Sequence, residues 1–261
     1  DPLMQAYSGI MSVTGHDSSE PARVGSSVVD FGTGMWSALG VLAALHKRAE
    51  TGKGSHVTTA LLDTAIGWVS YHLMSHLATG LVPGPMGSGF AMIAPYQMFP
   101  TSDGQLMIGA GNDASFYRLC AALNLPDLAE DPRYASNPSR VDRREELFTL
   151  LADVTSTHTT QGLWELLGTC SVPCSPIQNM AEVVSDKQVE SSGMLPYVNH
   201  PDIPDYRDVA LPIRWNGERP ETSLLPPKVG EHTREILSEL GYTGEEIDML
   251  IAAEAVSASS D

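Results

Sequence analysis

The chain has 261 residues, 42% of them hydrophobic and 18% charged, with a formal net charge of −17. That length supports one large domain or two modest ones with cores of their own, and the acidic balance excludes nucleic acid or an anionic membrane as partner. If the ligand is an anion bearing phosphates, the basic residues that hold it are mostly not in this chain.

No apolar run approaches the length of a membrane span, and the opening Asp1-Pro2-Leu3-Met4 is neither basic nor signal-like. Cys120, Cys170 and Cys174 cannot all pair, and the last two have one residue too many between them for a C-x-x-C motif. They read as reduced packing residues of a soluble, cytoplasmic protein with no metal site and no membrane association.

In chain order, apolar Leu3, Met4, Ala6, Tyr7 and Ile10 give a short helix and then a turn. A chain that opens in mid-pattern without a start methionine is expected to have its earlier elements missing or on another polypeptide. Val28-Val29 reads as a buried strand end, Gly32 and Gly34 as a bend, and Met35 to His46 as a helix. Asp30 is therefore expected at a strand-to-helix junction on the rim of an α/β sheet, where the helix start favours a carboxylate. By itself this is more often the pattern of an N-cap residue alone. The helix ends in Lys47-Arg48 and Gly52, a short strand is expected over 56–60, and one helix over 61–77 closed by Gly80. His72 and His76 have metal-site spacing, but no glutamate stands beside them, so solvated or core histidines are the better reading.

Pro83-Gly84-Pro85-Met86-Gly87-Ser88-Gly89 reads as a linker and a glycine loop, either a cover for a reactive centre or a plain connection. Around a turn at Ser102-Asp103-Gly104, the segments 96–101 and 105–110 make a β-hairpin. Asp113 then caps a helix over 114–123. After a polar stretch over 127–144, helices are expected over 145–156 and 160–169, the latter burying Leu163, Trp164, Leu166 and Leu167. Val172 to Ile177 is extended, 180–185 a short helix, 194–215 a series of proline-broken β-like pieces, and 233–240 and 245–254 helices before a frayed tail.

Four stretches, in order, resemble the class III CoA-transferase family, which includes formyl-CoA and carnitine CoA-transferases and the related α-methylacyl-CoA racemases. They are Asp1 to Gly9 with Asp30, Gly40 to Leu45, Thr51 to Gly54 and Leu61-Leu62-Asp63; Pro95 to Gly104 with Gly111-Asn112-Asp113; Val172 to Pro176; and Gly230 to Thr233 with Leu240-Gly241. The resemblance implies an α/β fold: a remainder of a Rossmann-like large domain with a parallel sheet over 1–80, a linker and glycine loop over 81–91, a smaller α+β domain over 92–195, and a segment over 196–261 returning to the large domain. It implies a homodimer of interlocked subunits. It also implies that the family's N-terminal part, with most of the CoA-binding surface, must come from further polypeptide.

In such enzymes an aspartate at the position of Asp30 attacks an acyl-CoA thioester, giving an aspartyl anhydride and then an aspartyl-CoA thioester. Gly87, Ser88 and Gly89 would shield the anhydride, although the histidine-proline pair common near Phe90-Ala91 is lacking. Asp113, in Gly111-Asn112-Asp113, has the transferase form of its motif and joins the substrate-binding set. The substrates implied are acyl-CoA, with coenzyme A as the carried group, and a carboxylic acid; no metal is implied. The alternatives are an α-methylacyl-CoA racemase and a non-catalytic subunit of a split enzyme in which Asp30 only caps.

Overall fold

The computed structural model describes residues 1–17, 20–220 and 225–259. They divide into two compact units, Asp1–Ile177 and Gln178–Asp261.

The first unit begins with α1 (Pro2–Tyr7), which has Pro2 at its start, where no backbone N–H is needed, and continues through a 3₁₀ turn at Met11–Val13. Next comes α2 (Val28–Thr51), and Val28 and Val29 are its first residues, not a strand end. The local sequence hides this because the cap is remote. Ser27 makes no side-chain cap bond, while the Asp1 carboxylate accepts from the Val29 N–H at 2.7 Å and the Asp30 N–H at 3.4 Å. Gly32 lies inside the helix as a contact point: a Cβ there would sit 2.7 Å from Trp68 of α3 (Leu61–Trp68). Gly52 closes α2 in the left-handed conformation at φ +70°.

A single helix was expected over 61–77; instead the chain breaks at Val69 before α4 (Ser70–Thr79). The break serves packing, since Val69 and Ala65 join Ile10 and Val29 in one small core. Gly80 ends α4 at φ +74°. The expected strand over 56–60 is extended chain without a pairing partner.

A larger core lies around the hairpin β1 (Tyr96–Pro100) and β2 (Gln105–Gly109). β2 also pairs with β3 (Cys174–Pro176), and both pairings are antiparallel. Leu106 and Ile108 point to one face of β2 and are buried, as the two-residue strand period demands. Against them pack α5 (Asp113–Ala122) through Phe116, Leu119 and Cys120, α8 (Arg144–Thr155) through Leu147 and Leu151, and α9 (Thr160–Thr169) through Leu163 and Leu167. These spacings of three and four residues place each set on one helix face. Trp164, expected inside, is exposed. The polar stretch before α8 holds α6 (Pro126–Glu130), a 3₁₀ turn and α7 (Asn137–Asp142). The three cysteines are free, and burial pushes the Cys120 thiol up to about 11.

The second unit holds α10 (Met180–Ser185), α11 (Lys187–Ser192), α12 (Thr233–Glu239) and α13 (Gly244–Ala252). Asn179 with Glu182 and Thr243 with Glu246 make capping boxes at α10 and α13. The β-like pieces expected over 194–215 amount to the isolated bridges Tyr197–Arg207 and Trp215–Glu218. The last two residues of the expected tail, 260–261, lie outside the described residues.

The expectation of an α/β fold with a Rossmann-like parallel sheet is overturned. The described residues are mostly helical, with one small three-stranded antiparallel sheet. Nothing in the structure displays an interlocked arrangement either. The parallel sheet was implied by the family resemblance, and the two segments read as strands within 1–80 do not supply it: Val28-Val29 is helical and 56–60 forms no described strand or bridge. Among the described residues one helix, α2, is long and apolar enough by length and composition to cross a membrane. Its valines, leucines and alanines carry that apolar character, while Asp30, the glycines, Thr33 and Ser37 interrupt the apolar run. Phe31 is 72% exposed and Leu42 63%.

Candidate active site

Asp30 occupies the first turn of α2, three positions past Ser27, with its side chain 53% exposed. It is held from an unexpected direction. Asp1 Oδ2 takes the Val29 and Asp30 amides, at 2.7 and 3.4 Å. The other Asp1 oxygen accepts from the Gln5 side chain. Gln5 is fully buried and accepts from the Val24 N–H at 2.9 Å. Asp1, Gln5 and Val24 thus form a polar clamp under the start of α2. Sequence reasoning passed over Asp1 and Gln5; their four-residue spacing behind Pro2 is the only local trace of the clamp.

An apolar cavity of ≈ 490 Å³ opens against the α2 face that carries Val28, Phe31 and Gly32, with Ile10, Trp68, Tyr71 and His72 among its other walls; Asp30, on another face of the helix, does not line it. The break at Val69 turns Trp68 and His72 toward this space from two helices. Burial pushes the His72 imidazole down, favouring its neutral form. His76 lies with Nδ1 2.9 Å from the Leu81 carbonyl oxygen. Among the described residues no three His, Cys, Asp or Glu side chains group as metal ligands.

The glycine loop is pinned rather than free. Gly87, at φ +60°, donates its N–H to the Gly15 carbonyl at 2.7 Å, and a Cβ there would lie 2.9 Å from His16 Nδ1. Gly89 donates to the Met86 carbonyl, and Ser88 Oγ accepts from the Met98 N–H of β1 at 2.9 Å. Thr14, next to Gly15, is a wall residue of the cavity against α2. The ring of Phe90 meets Tyr71 at 5.7 Å and Tyr96 at 6.3 Å. No described hydrogen bond joins Asp30 to the loop.

Asp113 does not cap α5; Asn112 does, accepting from the Ser115 N–H at 2.8 Å. Asp113 lines a separate cavity of ≈ 580 Å³ with Tyr96, Gly111, Asn112 and Asn137. This cavity shares no lining residue with the one against α2, and Asp30 lines neither. The structure therefore brings the loop into reach of one cavity wall and sets Asp113 apart. Asp113 is oriented by Arg140, a fully buried side chain whose Nη2 donates to Asp113 Oδ1 at 2.7 Å. Arg140 also donates to the carbonyls of Ala94 at 2.9 Å, Tyr134 at 2.9 Å and Gly111 at 3.0 Å, and lies 4.6 Å from the Phe116 ring centre.

The chain matches CoA-transferase family III over residues 1–233. It is 34% identical over 247 residues to a succinate–glutarate CoA-transferase of Agrobacterium fabrum, covering 92% of this chain and 60% of the relative. A succinyl-CoA:glutarate CoA-transferase of Homo sapiens is 31% identical over 257 residues, covering 98% of this chain and 59% of that protein. A crystal structure of a CAIB/BAIF family protein from Brucella suis superposes with a TM-score of 0.74 at 35% identity, over 92% of this chain and 62% of that one. The crystal structure of Rv3272 from M. tuberculosis gives 0.77 at 25% identity, over 88% of this chain and 61% of that one. The chain spans about 60% of the length of these curated relatives. With its match extending from Asp1 to Thr233, the chain belongs to CoA-transferase family III.

Proposed function

We propose that the complete protein carrying this chain is an acyl-CoA:carboxylate CoA-transferase that works through covalent intermediates on Asp30. A carboxylate oxygen of Asp30 bonds to the thioester carbonyl carbon, the carbon–sulfur bond breaks, and CoA leaves as its thiolate. The thiolate then attacks the aspartyl carbonyl of the mixed anhydride, forming an aspartyl-CoA thioester and releasing the donor acid as its carboxylate. An acceptor carboxylate reverses both steps, so no external oxidant, metal or water is consumed. The positioning of a weak nucleophile is what the protein must supply.

The observation that carries this reading is Asp30 itself: half exposed in the first turn of α2, its neighbouring amides already satisfied by Asp1. Gly87, Ser88 and Gly89 are assigned as the cover of the intermediate and Asp113 as a substrate-side group. Relatives named for succinate and glutarate direct the substrate reading to short dicarboxylic acids and their CoA thioesters. The protein acts as a homodimer, and the CoA-binding surface is supplied largely by the part of the family's length that this chain does not span. The same part covers the exposed apolar face of α2, which is the reading we prefer to a membrane-crossing role. The net charge of −17 supports this division, because the phosphates of CoA need cations from elsewhere.

The test is Asp30→Ala in the complete protein with succinyl-CoA and glutarate, alongside hydroxylamine trapping of the wild type. Loss of transfer, together with a wild-type adduct mapped to Asp30 by mass spectrometry, is the expected result. Exchange of α-carbon configuration without any adduct would instead mark a racemase, and full activity of D30A would leave Asp30 a structural residue.

A further inference from the structure

We propose that the cavity lined by Asp113 seats a neutral secondary amide of the pantetheine arm of CoA, the amide N–H donating to Asp113 and its carbonyl accepting from Asn112 or Tyr96, and that it does not seat a carboxylate of the acid substrates. This rests on the reading of Asp113 as a substrate-side group and states which substrate it meets.

The cavity wall is built on glycines. Tyr96 of β1 stands opposite Gly109 of β2 in the hairpin, and a Cβ on Gly109 would lie 3.1 Å from the Tyr96 ring. A Cβ on Gly111 would lie 1.9 Å from the Ile93 side chain. Both lining side chains therefore occupy space that only a missing side chain leaves open. Behind the wall, the fully buried Arg140 donates to the Gly111 carbonyl at 3.0 Å and to Asp113 Oδ1 at 2.7 Å, so the turn and one carboxylate oxygen are fixed together.

The polar groups that remain for a ligand form a defined set. Among the described residues no hydrogen bond reaches Asp113 Oδ2. Asn112 spends its Oδ1 on the Ser115 N–H at 2.8 Å, and no described bond uses its Nδ2. The hydroxyl of the exposed Tyr96 also has no described partner. Asn137, by contrast, is committed on both sides, accepting from the Ala94 N–H at 3.1 Å and donating to the Met92 carbonyl at 2.8 Å. One charged acceptor and two kinds of donor are thus left in a cavity of ≈ 580 Å³. No cation is among its lining residues, and Arg140 has no exposed surface to offer one. A second carboxylate would face Asp113 without a counter-charge, which works against the acids. A secondary amide matches the set, with its N–H toward Oδ2 and its carbonyl toward Nδ2 or the hydroxyl. Of the substrates in the proposed reaction only CoA carries such a group.

The experiment uses the complete protein and calorimetry to measure Kd for CoA and for CoA analogues in which each pantetheine amide N–H in turn is replaced by an ester oxygen. Wild type is compared with Asp113→Ala and with Asn112→Ser, which keeps a cap oxygen for α5 and lacks the amide donor. One analogue is expected to bind wild type about 10-fold more weakly than CoA does, and D113A should bind CoA itself about 10-fold more weakly. Joining that analogue with D113A should add no more than about 2-fold, because both changes remove the same bond. N112S should weaken CoA by about 3-fold or more, with KM for glutarate within about 2-fold of the parent in both variants. Fully additive losses for every analogue overturn the proposal. Should D113A fail to fold, N112S decides: unchanged affinity for CoA overturns the proposal. A raised KM for glutarate beside an unchanged Kd for CoA overturns the amide assignment and leaves Asp113 a substrate-side group, whereas no change in either overturns both readings.

Discussion

Among individual residues, Arg140 bears the largest structural responsibility near a candidate substrate group. Its guanidinium satisfies three main-chain carbonyls and the Asp113 carboxylate from a fully buried position. Replacing it with Met keeps much of the volume but leaves those acceptors without donors. Arg140→Met is expected to destabilise the protein by about 3 kcal/mol, read from the shift in a denaturation curve. Asp113→Asn, at a half-exposed position, should cost far less stability and act instead on substrate affinity. Equal losses for the two variants would show that the carboxylate, not the carbonyl set, is what Arg140 serves. None of this was legible around Asp113 in the sequence, where the cap role fell to the wrong neighbour. Asn112 and Asp113 are both good cap residues, and only the backbone conformation selects between them.

Between elements, glycines distinguish helix faces that touch from faces that do not. Gly32 of α2 approaches α3 so closely that an added methyl group would overlap the Trp68 ring and crowd Thr64. Gly168 of α9 has open space around the same direction. Alanine favours a helix over glycine by about 1 kcal/mol at an unhindered site. Gly168→Ala should therefore raise the melting temperature slightly, whereas Gly32→Ala should lower it and weaken transfer by pushing the start of α2 from its place. If both variants gain stability, the α2–α3 contact is looser than its geometry states. The hairpin, α8 and α9 were readable in advance because turn residues and apolar periodicity agree there. The start of α2 was not, since two β-branched residues and two glycines argue locally against the helix that Asp1 completes.

At the scale of the whole molecule, α2 presents an apolar face that the other described residues of its own unit leave exposed, while the relatives run to greater length. The proposal that further polypeptide covers that face predicts a context-dependent effect. Leu42→Glu should cost about 2 kcal/mol or more in the complete protein, where it places a carboxylate in a covered contact, and close to nothing in the 261-residue chain alone. Thermal melts of both forms check this; equal effects would mean that α2 remains exposed in the complete protein.

The sequence by itself determined the family, through motifs spread in order along nearly the whole chain, and the small sheet with its main helices, through periodicities that local packing rewards. It also singled out Asp30 as the carboxylate to watch. What only the tertiary structure decided is how Asp30 is held. The cap on its helix comes from Asp1, 28 positions before Val29 along the chain, and the cavity on another face of α2 is assembled from the 3₁₀ turn, α2 and the break at Val69. Contacts between such distant segments leave no periodic trace, because each is a property of where chain segments meet and not of any segment's own pattern.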